Sequence, residues 1–154
     1  MRLVRTCLVL FLSALLLAAC GTGGPRRNVF PPKASIQQLT VRPDGSWTLQ
    51  VRLQNFSNVS MTFAKVSGSL AIGGSDAGRV ELAPALRVGP ESADVVDAPF
   101  RPSTAAAAAV ANAGTANVSY KFTGRIVASD PSRDDAFEFE GRLSAVPGLS
   151  GVFR

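Results

Sequence analysis

The chain has 154 residues, 46% of them hydrophobic and 18% charged, with a formal net charge of +5 and no histidine. This length suits one domain around one hydrophobic core and is too short for two. With no imidazole and only two thiols, Cys7 and Cys20, the composition excludes Ser-His and Cys-His nucleophiles and the usual histidine-bearing zinc and copper sites.

Arg2 and Arg5 give a basic start, Leu8 to Ala19 is apolar apart from Ser13, and Leu17-Ala18-Ala19-Cys20 precedes Gly21. The order resembles a bacterial lipoprotein signal, in which small residues before the cysteine suit a signal peptidase's narrow subsites. The apolar run is too short to cross a bilayer, which takes about 20 such residues. The resemblance implies that the Cys20 thiol takes a diacylglyceryl group, that the chain is cut before it, and that the new amine is acylated, as with palmitate. An ordinary secretory signal that contains a cysteine is the alternative. The expected organisation is therefore a signal peptide over 1–19, a lipidated cysteine and tether over 20–33, and a folded domain over 34–154. The expected location is the bacterial cell envelope, with acylated Cys20 in the lipid bilayer. Gly21, standing where aspartate would favour retention, is compatible with the outer membrane and a periplasmic face.

Removing the 19 residues before Cys20 from the 154 leaves 135. The mature chain then has no thiol free for a disulfide, although its compartment permits one. Fourteen basic and eleven acidic residues remain, scattered along the chain, so no basic stripe for nucleic acid is expected. Gly21 to Lys33 (GTGGPRRNVFPPK) has a tether's composition, with glycines for freedom and Pro31-Pro32 stiffening the exit. Arg26 and Arg27 fall where anionic headgroups would meet them, or are simply solvated.

From Ala34 onward the pattern alternates with a period of two. Ile36 to Val41 is expected to pair with the strand Trp47, Leu49, Val51, Leu53 through a turn at Pro43-Asp44-Gly45. After the polar break Asn55-Phe56-Ser57-Asn58, the run from Ser60 to Ile72 switches the parity of its apolar positions between Phe63 and Val66, which predicts a bulge near Ala64-Lys65. Arg79 to Val88 reads as one or two short strands around Ala83-Pro84, and Ala93 to Phe100 as another. Pro99 lacks a donor, so that strand belongs at an edge. Val118 to Ile126 and Phe137 to Leu143 form the clearest hairpin, joined by a loop over Ser129 to Asp135. The total is about seven strands, the signature of an all-β, immunoglobulin/fibronectin-like sandwich. Alternation places Val51 and Phe122 inward and Gln50 outward.

Ser103 to Asn112 (STAAAAAVAN) breaks the pattern. Ser103 or Thr104 can cap it, alanine favours helix, and Gly114 stops it, so one short helix is expected. Among carboxylates, Asp130, Asp134 and Asp135 could offer oxygen to calcium, but their spacing fits no calcium loop and Arg133 stands among them; a polar hairpin loop is the expectation. Glu91, Asp94 and Asp97 read as a solvated face. Gly21, Gly23 and Gly24 lack the flanking strand and helix of a phosphate loop. No catalytic residue, metal site or cofactor is expected.

The strand Leu49-Gln50-Val51-Arg52-Leu53-Gln54-Asn55 running into Phe56-Ser57-Asn58, the stretch Phe63 through Val66, Gly68, Leu70 and Ile72 to Gly73, and the late Tyr120-Lys121-Phe122-Thr123-Gly124 together resemble the late embryogenesis abundant type 2 domain. That family is also called the water stress and hypersensitive response domain. The resemblance spans residues 35 to about 145. Its asparagine is usually followed by Pro-Asn, where this chain has Phe56-Ser57-Asn58. It implies a small, monomeric, non-enzymatic sandwich associated with stress or desiccation protection, acting by binding or by protecting its neighbours. The alternative is an accessory or assembly lipoprotein that binds an envelope protein partner by strand addition, for which the proline-free edge Ile36 to Val41 is best suited.

Overall fold

In a computed structural model of the chain, the described residues are Gly24 and residues 26–154. The expected signal peptide, Leu17, Ala18, Ala19 and Cys20, and residues 21–23 lie outside them. Among the described residues, nine strands and one helix follow in order: β1 (Lys33–Val41), β2 (Trp47–Gln54), β3 (Met61–Ile72), β4 (Ser75–Leu82), β5 (Leu86–Val88), β6 (Ala93–Phe100), α1 (Thr104–Ala113), β7 (Asn117–Asp130), β8 (Ser132–Ser144) and β9 (Val152–Phe153). They form an all-β sandwich. One sheet has the order β6-β2-β1-β9, and the other β4-β3-β7-β8 with β5 also paired to β3.

The alternation read from the sequence sets which side chains face inward. Leu49, Val51 and Leu53 of β2 are fully buried, while Arg52 is exposed. Across the interior, β3 and β7 supply Phe63, Val66, Leu70, Ile72, Phe122 and Ile126. Each such side chain contributes about 1.5–3 kcal/mol when fully buried. Phe122 meets Phe137 edge-on at 4.8 Å, and Trp47 lies 5.9 Å from Phe100.

Bulges keep this register. The expected one appears as register shifts between Thr62 and Lys65 against β7, so that Phe63 and Val66, three apart, both point inward. A second, not foreseen, lies between Ile36 and Gln38, and it lets Ile36 and Leu39 share the core. At the centre of the second sheet Gly68 stands opposite Gly124. A Cβ on Gly124 would come within 2.1 Å of the Ser67 carbonyl oxygen, and one on Gly68 within 2.5 Å of that of Thr123. Only glycine lets these backbones approach so closely.

The helix forms as expected. The Ser103 hydroxyl accepts from the Ala106 N–H at 3.2 Å, Gly114 follows at φ 56°, and Ala106 and Val110 are buried. Its first turn also closes a sheet edge: Ser103 N–H donates to the Ala77 carbonyl of β4, and its hydroxyl to that of Asp76.

Three expectations are corrected. The loop over Ser129 to Asp135 is instead ladder: β7 runs to Asp130 and β8 restarts at Ser132. Its charges are tolerated within strands because guanidinium groups neutralise them, Arg125 reaching Asp134 at 2.9 Å and Arg133 gripping Asp135 with two bonds of 2.7 Å. The strand count rises from about seven to nine, since Ala83-Pro84-Ala85 divides β4 from β5 and the C-terminal Val152–Phe153 adds β9. Ile36 to Val41 is not an open edge: β9 pairs with Leu39 and Thr40, and Val41 N–H donates to the Gly151 carbonyl at 2.8 Å. At Ile36 the Tyr120 hydroxyl takes both backbone groups, accepting from the N–H at 3.2 Å and donating to the carbonyl at 3.0 Å. Residues 26–32, at the end of the expected tether, are hydrogen-bonded to the domain.

Candidate functional site

The strands run from one end of the sandwich to the other, which gives the molecule two poles. The N-terminal pole gathers residues 26–33, the β2–β3 connection, the β5–β6 connection and the β7–β8 turn, as the pairings Lys33 with Gln54, Met61 with Val88, and Thr62 with Asp130 require. Here the chain arrives from its N-terminal segment.

The pole is built on two buried polar residues, Asn55 and Ser57, both fully inaccessible. Buried amides and hydroxyls persist only where their hydrogen bonds are made. The Asn55 amide donates to the carbonyls of Val59 and Gly89, each at 2.8 Å, and its oxygen accepts from Ser57 N–H at 2.9 Å. The side chain thereby ties the β2–β3 connection to the β5–β6 connection. Ser57 faces the arriving chain: its hydroxyl accepts from Phe30 N–H at 3.0 Å and lies 3.4 Å from the Phe30 carbonyl, to which it donates.

Asn58 completes the seat. Its oxygen accepts from Asn28 N–H and its amide donates to the Arg26 carbonyl, both at 2.7 Å, while its own N–H donates to the Asn28 carbonyl at 3.2 Å. From the other sheet Arg133 donates to the Val29 carbonyl at 3.2 Å. Val29 packs against the core and Pro32 is buried. Residues 26–32 are thus fixed to the domain, and Phe30, Arg26 and Arg27 remain exposed.

Several titratable groups are arranged as neighbouring pairs on the outer faces of strands. Lys121 is held between Glu138 and Glu140 at 2.8 and 2.9 Å, and these hydrogen bonds raise its pKa. An open hollow of about 550 Å³ beside it is lined by Tyr120, Lys121, Glu140 and Arg142 among others. The Arg133 guanidinium holds the Asp135 carboxyl below the usual aspartate range, and burial pushes the Tyr120 phenol up. Of the carboxylates considered for calcium, Asp134 and Asp135 are taken by Arg125 and Arg133, and Asp130 lies 4.0 Å from Arg87. Glu91 and Asp94 are exposed, and Asp97 lies on the outward face of β6. Among the described residues no cluster of three or more metal-ligating side chains occurs, and no helix is long and apolar enough to cross a membrane.

Sequence reasoning gave Asn55 and Ser57 no site role: they stood as a turn-prone break and as part of the family resemblance. Their one signal was an asparagine directly continuing the buried parity of Val51 and Leu53.

No family model matches the chain, and no curated relative does. Among solved structures it is similar to a solution structure from Arabidopsis thaliana, at 11% identity over 85% of this chain and 88% of that one, with a TM-score of 0.49. It is also similar to a crystal structure from Archaeoglobus fulgidus, at 13% identity, 77% and 98% coverage and a TM-score of 0.40. A third, described as a candidate late embryogenesis abundant (LEA) protein, shares 14% identity over 94% of this chain and 90% of that chain, with a TM-score of 0.44.

Proposed function

We propose that this protein is a bacterial envelope lipoprotein whose β-sandwich is held at a membrane surface by acylated Cys20 and acts without catalysis, by binding or protecting its neighbours under stress. The observation that carries the reading is the sequence Leu17-Ala18-Ala19-Cys20 at the end of an apolar run, only six positions before Arg26, where the chain becomes fixed to the N-terminal pole. Support for a non-enzymatic role comes from the absence of histidine and from carboxylates held by neighbouring cations. Support for protection comes from the resemblance to the type 2 stress domain.

The alternative, an assembly factor joined to its partner by strand addition, favoured a proline-free edge such as Ile36 to Val41, where β9 pairs with Leu39 and Thr40 and the Tyr120 hydroxyl takes both backbone groups of Ile36. The test of the anchor is mass spectrometry of the mature N-terminus with alkaline extraction of membranes. Acylated Cys20 in the wild type and an unprocessed or soluble Cys20→Ser chain are expected. An unmodified Cys20, or a Cys20→Ser chain that still resists extraction, overturns the reading. For the role, deletion of the gene should lower survival of desiccation or osmotic shock in proportion to the amount of protein lost; unchanged survival overturns protection.

A further inference from the structure

We infer that the N-terminal pole is a membrane-seating face, in which Phe30 and Phe56 enter the interfacial layer and Arg26, Arg27 and Lys33 meet anionic lipid headgroups. The inference rests on the lipoprotein reading and extends it from attachment to a fixed posture.

Exposed large apolar side chains are few: among the described residues they are Phe30, Phe56 and Leu149, at 51%, 39% and 57% of their surface. Both aromatics are at the N-terminal pole, where the paired bonds between Ser57 and Phe30 bring the two chain segments side by side. Neither is a strand residue obliged by a turn to face water, and an aromatic ring is at its most favourable where apolar and aqueous media meet.

The unpaired charge around them is mostly basic. Asp130 and Asp135 lie at 4.0 and 2.7 Å from guanidinium groups, of Arg87 and Arg133 respectively. Arg26, Arg27 and Lys33 form no ion pair among the described residues, and Glu91 and Asp94 are the exposed carboxylates left to oppose them. Each basic residue near an anionic surface favours association by about fivefold.

The length of chain outside the fixed region selects the occupant. Cys20 precedes Arg26 by six residues, which span at most about 20 Å when extended. The acyl chains therefore hold this pole against the bilayer at high local concentration, and contacts too weak to act alone suffice. A free tether would let the domain tumble. The seat made by Ser57, Asn58 and Arg133 removes that freedom, since residues 26–32 cannot leave the pole without breaking its hydrogen bonds.

The test uses the full lipidated protein in vesicles of phosphatidylcholine with phosphatidylglycerol and a nitroxide-bearing lipid. With Cys20 acylated, the mature chain has no other thiol, so Phe56→Cys, Phe30→Cys and, at the opposite pole, Leu149→Cys each accept a single environment-sensitive fluorophore. Quenching at positions 56 and 30 should exceed that at 149 by roughly twofold or more, as expected for groups at headgroup depth against one held in water. Adding Arg26→Glu and Arg27→Glu should abolish the difference while the protein stays vesicle-bound through its lipid. Equal quenching at all three positions, with thermal midpoints unchanged, overturns the seating. Labelling of the unsubstituted parent shows instead that Cys20 is unacylated, which overturns the anchor and the inference with it.

Discussion

The two poles of this sandwich are closed by different physics. At the N-terminal pole, Asn55, Ser57 and Asn58 fasten connections and the arriving chain by directional hydrogen bonds of 2.7–3.4 Å. At the opposite pole, β9 pairs with the end of β1, α1 packs against β4, β3 and β7, and Trp47, Phe100, Val110 and Phe153 are buried there. The apolar closure leaves an open groove of about 310 Å³ lined by Val41, Trp47, Val110 and Phe153 among others. Hydrogen bonds fix direction and apolar packing fixes volume, so the pole that receives the chain is the one whose geometry is specified most tightly.

The comparison can be broken first at the shared core. Val51→Asp or Phe122→Asp places a carboxylate where both sheets exclude water and should cost several kcal/mol. Gln50→Asp, one position away, should stay within about 0.5 kcal/mol by thermal melting. Equal melting of the Val51→Asp and Gln50→Asp chains would contradict the inward and outward faces assigned to β2.

At the apolar pole, Phe153→Ala should cost about 3–5 kcal/mol, as large-to-small changes in packed sites do. Hydrogen exchange should quicken at β9 and at Leu39 to Val41, which it pairs with. At the polar pole, Asn55→Leu conserves approximate size but strands the carbonyls of Val59 and Gly89 and the N–H of Ser57. Each stranded group costs about 1–3 kcal/mol. The exchange gain should appear at residues 55–58 and 89–92. Similar exchange maps for the two variants would mean that the poles do not open independently.

Tyr120→Phe is a smaller change. It keeps the buried ring and removes the hydroxyl that serves both backbone groups of Ile36, for a loss of about 1–3 kcal/mol in denaturant titration. Smaller still is the acid limb. Asp135 has its pKa lowered by Arg133, so its contribution is complete above the unfolded aspartate value and is lost as pH falls through the depressed folded value. Asp135→Asn should flatten the decline of melting temperature in that acid window, and an unaltered slope would remove the pair from the account.

The sequence carried the local features of this fold. The Pro43-Asp44-Gly45 turn, the parity switch at Phe63 and Val66, the Ser103 cap and the edge position of Pro99 each depend on residues a few positions apart. What escaped depends on distance. Tyr120 reaches Ile36 across 84 positions, Arg133 reaches Val29 across 104, and β9 pairs with β1 from the far end of the chain. Alternation says that a residue is inward but not which backbone group it will meet, so it could not name the partners of Asn55. The Ser129 to Asp135 loop was misread because aspartate and proline favour turns on their own, and only the facing Arg125 supplies the charge that keeps Asp134 in a strand.

The Gly68 and Gly124 contact places a particular restriction on how this sequence can change. In most packed pairs an enlargement on one side can be answered by a reduction on the other. Here the nearest atoms that a new Cβ would strike belong to the backbone of the facing strand, the carbonyl oxygens of Ser67 and Thr123. No partner side chain can shrink to make room, and the two positions have no compensating route between them. A chain diverging from this one should therefore keep both glycines or move the register of β3 against β7 as a whole, an all-or-nothing step that single substitutions cannot approach gradually.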